Sequence, residues 1–263
     1  MQRRKFVGSA AAAAAGAGLA ACATGNSQMA SAPRTPFVVP ATYIPIVGSD
    51  EQFPVRRIYC IGRNYPAHAI ERGSDPTREP PFFFQKPTDA IQHVRAGTVG
   101  DHRYPSLTKN YHYEAELVAV ISKGGRDIPH SQALDHVYGY TTGLDMTRRD
   151  LQNEMAAMKK PWEIGKSFDH AAVVGGVHRV AQTGHFTKGA IWLKVNGNLK
   201  QNADLSQMIW SVAEQVSKLS EANELFPGDI IYSGTPANVG PVVRGDVIEM
   251  HIEGLPNMSV RIV

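Results

Sequence analysis

Cysteine is nearly absent from this 263-residue chain: only Cys22 and Cys60 occur. Two thiols cannot make a disulfide framework or a cysteine-based zinc site. No basic patch with interleaved aromatics runs through the sequence, which argues against a nucleic-acid partner. The formal charge of +3 is small, and much of it sits at the extreme N-terminus, so the remainder is nearly neutral. Internal repeats are absent, and so is the G-x-G-x-x-G fingerprint, which argues against a dinucleotide enzyme. What remains, 43% hydrophobic and 19% charged, is an ordinary globular composition with material for a sizeable core.

The first 25 residues read as a targeting segment and not as part of the fold. Arg3-Arg4-Lys5-Phe6-Val7 is a twin-arginine signature before a weakly hydrophobic, alanine-rich run from Gly8 to Ala21. A positive segment before an apolar one is the signal-peptide pattern, and paired arginines point to the Tat route. The run is too short and too weakly apolar for a stable transmembrane helix. Leu19-Ala20-Ala21-Cys22 resembles a lipobox, whose lipidated cysteine would tether the protein without embedding it. The alternative is an alanine-rich disordered tail. The expectation is an exported, periplasmic protein whose membrane contact is an N-terminal lipid anchor on Cys22. Residues 26–55, rich in Ser, Thr and Pro, read as a linker and N-terminal extension, and the domain proper as 56–263. Cys60 would then be a lone thiol, buried rather than reactive.

Along the domain the spacing predicts a strand at Arg57–Ile61, then a short helix that Pro66 starts and Gly73 ends. His68 and Glu71 fall at i and i+3 on one face of it, either as local helix support or as a general base and the carboxylate orienting it. The polar stretch Ser74–Pro81 beside it reads as a lid loop. Phe82-Phe83-Phe84-Gln85-Lys86 reads as an aromatic strand ending in a lysine, and Val137–Leu144 as a strand closing on Asp145. Thr147 is placed to cap a helix running to Lys159, and Pro161–Asp169 reads as a loop carrying Lys166. Asn196-Gly197 predicts a hairpin turn, Met208–Leu219 a helix, and Val247–Ile252 and Ser259–Val263 closing strands. Many short strands with few helices predict a β-rich α+β fold.

Glu114-Ala115-Glu116 opens the apolar run Leu117-Val118-Ala119-Val120-Ile121. Residues two apart on a strand share a face, so the two carboxylates aim at one spot. Like charges so close repel unless they face solvent or hold a cation. The spacing alone leaves both readings open.

Taken in order, Gly62-Arg63-Asn64-Tyr65, the His68/Glu71 pair, Glu114-Ala115-Glu116, Gly143-Leu144-Asp145-Met146-Thr147-Arg148-Arg149-Asp150, Gly165-Lys166-Ser167-Phe168 and Gly234-Thr235-Pro236 resemble the fumarylacetoacetate hydrolase family. Within it the segments Phe82–Pro87 and Arg148–Gln152 are most similar to the acylpyruvate and fumarylpyruvate hydrolases. The resemblance implies a mixed β-sheet roll or sandwich with a short lid helix, and a homodimer. It implies a Mg²⁺ or Mn²⁺ site on Glu114, Glu116 and Asp145, and hard cations do prefer such oxygen ligands. It implies hydrolysis of a carbon–carbon bond in a β-diketo acid. His68, oriented by Glu71, would activate water, while the metal and Lys166 stabilise a pyruvate enolate. By position, Arg149, Gln152 and Thr235 would hold the substrate, with Tyr65 and Lys86 as further pocket candidates. Arg148 would face away, because adjacent helical positions do not share a face.

The same cradle could instead decarboxylate oxaloacetate or isomerise a 2-hydroxyhepta-2,4-diene-1,7-dioate-type diacid. A non-catalytic exported binding protein on an enzyme scaffold is the reading of another class. The His68/Glu71 pair favours hydrolysis, which alone among these needs a base for water.

Overall fold

The computed structural model describes residues 34–77 and 79–263. The expected signal segment, Cys22 and the first part of the expected linker lie outside the described residues. The chain divides into two units, residues 1–39 and 40–263. In the first, Phe37, Val38 and Val39 are exposed. Among the described residues no helix is long and apolar enough to cross a membrane.

The second unit begins earlier than the sequence reading placed the domain. Within the expected linker, β1 (Thr42–Pro45) and β2 (Gln52–Val55) form an antiparallel hairpin. It buries Ile44 and Phe53, and Val47 N–H donates to the Val177 carbonyl at 2.9 Å. Pro45 and Pro54 sit in this two-stranded ribbon, where a missing N–H is tolerated.

Next come β3 (Arg57–Ile61), α1 (Pro66–Glu71), β4 (Phe83–Lys86), β5 (Ile91–His93) and β6 (Val99–His102). Then follow β7 (Tyr111–Tyr113), β8 (Ala115–Ile121), β9 (Val137–Asp145), β10 (Thr147–Arg148), α2 (Arg149–Ala157) and α3 (Glu163–Lys166). After these lie β11 (Ala172–Val174), β12 (His178–Arg179), α4 (Val180–Thr183), β13 (Ala190–Val195) and β14 (Asn198–Asp204). The chain closes with α5 (Val212–Ala222), β15 (Asp229–Tyr232), β16 (Gly240–Val242), β17 (Val247–Ile252) and β18 (Met258–Ile262).

The largest sheet runs β4-β3-β15-β8-β9-β11-β5, with β12 added against β9. A second runs β14-β13-β17-β18-β6, and a third β10-β7-β16. This is the β-rich α+β architecture the sequence predicts. All seven residues of β8 are buried, because both faces of that strand are covered. The Asn196-Gly197 turn between β13 and β14 takes positive φ at both residues, as a two-residue hairpin requires.

Three local expectations are corrected. Thr147 does not cap a helix: it sits in β10 and its Oγ1 donates to the Asp145 carbonyl, while α2 begins after Arg148 without a side-chain cap. Lys166 lies on the short helix α3 and not on a plain loop. The helix expected over Met208–Leu219 starts later, at Val212, where Ser211 and Glu214 form a reciprocal capping box.

Candidate active site

The register of β8 against β9 assembles the centre. Glu116 lies opposite Gly143, and the Asp145 N–H donates to the Glu114 carbonyl at 2.9 Å, continuing the ladder past the last paired residues. Glu114, at the junction of β7 and β8, therefore meets Asp145 from the end of β9. Each of Glu114, Glu116 and Asp145 offers an oxygen within 4.8 Å of the others, and all three are buried. A solvated face is excluded.

Buried carboxylates need cations or donors. Lys166 Nζ lies 2.7 Å from both Glu114 Oε2 and Asp145 Oδ2. Arg149 Nη2 pairs with Glu114 Oε1. Lys86 Nζ forms an ion pair with Asp145 Oδ1 at 2.8 Å without hydrogen-bond alignment, and it donates to the Lys166 carbonyl. Glu116 differs: its Oε2 accepts from the Gly234 N–H at 2.7 Å, and no ion pair reaches it among the described residues.

The electrostatics follow this asymmetry. Burial opposes charge on Glu114, but Lys166 and Arg149 outweigh it and hold its carboxyl well below the usual range. Burial pushes the Glu116 carboxyl up, and the charges of Asp145 and Glu114 push it further. Burial opposes the Lys166 ammonium, yet Asp145 and Glu114 keep its pKa above the ordinary lysine value. Burial, helped by Arg149, lowers His112 to about 4. A neutral His112 accepts from Arg149 Nε at 3.3 Å through Nδ1, with Nε2 facing Asn110 Oδ1 at 2.8 Å.

Three hard oxygen donors converge and one of them has no cation of its own, so the residues present fit a divalent metal. Metal binding would displace the proton that burial favours on Glu116.

α1 brings the second group. Pro66 stands in its first turn, and Gly73 follows its end with φ of 70°. His68, only 5% exposed, places Nδ1 2.9 Å from Glu71 Oε2. Burial raises the Glu71 carboxyl, but the His68 hydrogen bond and charge and the Asn238 N–H, 3.1 Å from Oε1, bring it below the ordinary value.

A cavity of about 120 Å³ joins the two groups. His68, Glu114, Glu116, Asp145, Arg149, Gln152, Lys166 and Thr235 all line it. Gln152 Oε1 accepts from Arg149 Nη1 at 2.5 Å, and Thr235 Oγ1 accepts from Gln201 Nε2 at 2.9 Å. Glu71 stands behind His68. Arg148 turns away, its guanidinium 4.1 Å from the Phe168 ring centre.

The structure does not bring Tyr65 or Lys86 to this wall. Tyr65 borders a separate cavity of about 550 Å³ on the other side of α1, and Lys86 is buried beneath Asp145. Both candidates came from the motifs Gly62–Tyr65 and Phe82–Pro87 of the resemblance, and a motif does not say where each of its side chains turns.

Sequence reasoning missed Arg63, Arg72, Phe84 and Trp162, which also line the cavity. Arg72 had a usable signal, since it falls four residues after His68, a spacing that shares a helix face. Gln201 had none: it stands on an otherwise exposed strand, yet it is fully buried and bonds both Thr235 Oγ1 and the Ala115 N–H.

Residues 57–263 match the family model described as fumarylacetoacetate (FAA) hydrolase C-terminal. A fumarylpyruvate hydrolase of Ralstonia sp is 42% identical over 193 residues, 73% of this chain and 97% of the relative. A mitochondrial oxaloacetate decarboxylase of Dictyostelium discoideum is 40% identical over 200 residues, 76% of this chain and 90% of that one. The crystal structure of fumarylpyruvate hydrolase from Pseudomonas aeruginosa, in complex with Mn²⁺ and pyruvate, superposes with a TM-score of 0.86 at 55% identity. That match covers 88% of this chain and 99% of the other.

Proposed function

The chain belongs to the fumarylacetoacetate hydrolase family, and within it we propose a metal-dependent hydrolase that cleaves a carbon–carbon bond of a β-diketo acid. The substrate is fumarylpyruvate or another acylpyruvate, and the products are pyruvate and a carboxylic acid. The observation that carries this reading is the His68–Glu71 pair at the wall of the cavity that holds the acidic triad and Lys166. The fumarylpyruvate hydrolase relatives at 42% and 55% identity support it.

Glu114, Glu116 and Asp145 would hold Mg²⁺ or Mn²⁺, which when bound would supply Lewis acidity to the substrate's oxygens. With Nδ1–H given to Glu71, His68 keeps Nε2 as the nitrogen that takes a proton from water. The water oxygen bonds to the distal carbonyl carbon, and Glu71 stabilises the imidazolium. The carbon–carbon bond then breaks, its electron pair passing to the pyruvate half as an enolate. Lys166 offsets that negative charge, and the imidazolium returns its proton to the enolate carbon. One water is consumed for each pyruvate and acid released. Arg149, Gln152 and Thr235 position the substrate's oxygens.

A second reading, oxaloacetate decarboxylation, draws on the Dictyostelium relative. It needs the enolate-stabilising groups and no base for water, so His68 and Glu71 weigh against it. The screen is pyruvate release from fumarylpyruvate and other acylpyruvates with Mg²⁺ or Mn²⁺, with and without a chelator. Intact acylpyruvates alongside CO₂ loss from oxaloacetate would establish the decarboxylase instead.

The exported location and the homodimer belong to the same proposal. The twin arginines Arg3 and Arg4 and the lipobox-like Cys22 support export and tethering. Arg3→Lys with Arg4→Lys should retain the protein in the cytoplasm, and continued export would remove the Tat assignment.

A further inference from the structure

Four cationic side chains line the cavity against three carboxylates, and the cations are not equally engaged. Lys166 is held by Glu114 and Asp145, and Arg149 by Glu114. Among the described residues Arg72 meets a neutral acceptor alone, Asn153 Oδ1, at 2.6 Å. That bond orients the guanidinium without neutralising it. Arg63 has no carboxylate partner among the described residues; it rests 5.7 Å from the ring centres of both Phe82 and Trp162. Burial and the charge of Arg149 lower the Arg72 pKa, and the charges of Glu114 and Glu71 offset this only in part.

The wall beside them is aromatic and apolar. Trp162 meets Phe82 edge-on at 5.5 Å and Phe84 at 6.0 Å, and Trp162 and Phe84 both face the cavity. Such a wall suits a planar, unsaturated chain. A guanidinium fork matches a carboxylate through two parallel hydrogen bonds.

Resting on the hydrolase reading, we propose that Arg72 and Arg63 form a second carboxylate subsite that selects β-diketo diacids over mono-acids. Arg72 supplies the oriented fork, and Arg63 adds charge along the aromatic wall. The substrate's first carboxylate belongs to the triad side of the cavity, and its distal carboxylate pairs directly with Arg72, which no carboxylate of the described residues does.

The test uses the full-length, Mn²⁺-loaded enzyme and its Arg72→Met, Arg72→Lys and Arg63→Gln variants. Two quantities are read: the ratio of kcat/KM for fumarylpyruvate to that for acetylpyruvate, and the calorimetric affinities for fumarate and for pyruvate. Arg72→Met should lower the ratio and the fumarate affinity about tenfold to a hundredfold, the range of a charge-assisted hydrogen bond. Arg72→Lys should fall between, Arg63→Gln should show a smaller loss of the same kind, and pyruvate affinity should hold. Unchanged ratio and fumarate affinity in Arg72→Met would overturn the subsite. If the wild type turns over neither substrate while fumarate affinity still depends on Arg72, the subsite stands and the hydrolase reading fails.

Discussion

The ammonium of Lys166 stands 2.7 Å from Asp145 Oδ2, with both groups buried in the same cluster. The pair joins helix α3 to the end of β9, and Lys166 also reaches Glu114, so one ammonium serves two of the three carboxylates. Removing one member of a buried ion pair leaves an uncompensated charge and costs about 3–5 kcal/mol. Lys166→Met should therefore destabilise the metal-free protein by about that amount in urea unfolding. Saturating Mn²⁺ should return most of the loss, because a dication among the carboxylates replaces the missing charge. Equal stability of wild type and variant without metal would contradict this account.

His102 should contribute to the acid side of the stability curve, alongside His112. It is fully buried, with Nδ1 2.6 Å from Gln92 Oε1 and Nε2 2.5 Å from the Tyr111 hydroxyl. Burial, with His170 adding repulsion, pushes its pKa down to about 4. The unfolded histidine titrates near ~6.5. The folded protein therefore refuses a proton that the unfolded chain accepts, and stability falls as pH drops from ~6.5 towards ~4. The loss across that window is roughly 3 kcal/mol. His102→Gln should make this part of the curve shallower in urea unfolding at a series of pH values, and an unchanged slope would remove His102 as a contributor.

Gly234 should not tolerate a side chain. Its φ is 93°, a Cβ there would lie 2.6 Å from Asn64 Cβ, and its N–H holds Glu116. Gly234→Ala should cost about 1–3 kcal/mol in backbone strain. It should also weaken Mn²⁺ binding, since the donor that orients Glu116 shifts with the loop. Calorimetric Mn²⁺ affinity equal to wild type would show that the loop does not set the Glu116 position.

The parts of this molecule legible in the sequence are those fixed by short-range pattern. Pro66 and Gly73 delimit α1 and place His68 and Glu71 on one face, and the run from Ala115 to Ile121 declares a buried strand. Asn196-Gly197 declares its hairpin. The rest depends on contacts between residues distant in sequence. Lys86 touches Asp145 and the Lys166 carbonyl, which no local spacing encodes, and Gln201 on β14 reaches Thr235 in the loop after β15. The β1–β2 hairpin was hidden because its prolines and small polar neighbours resemble a linker. Its burial comes from Val177 and the core beneath it.

The central claim is that His68 is the base that activates water above the metal triad. The most direct measurement is the initial rate of pyruvate release from fumarylpyruvate by His68→Ala, with Mn²⁺ occupancy followed in parallel by electron paramagnetic resonance. Loss of a positioned general base predicts a fall of about 10²–10⁴-fold. Mn²⁺ affinity should match wild type, because His68 is not among the carboxylate ligands. A variant that binds Mn²⁺ normally and releases pyruvate at the wild-type rate would contradict the account.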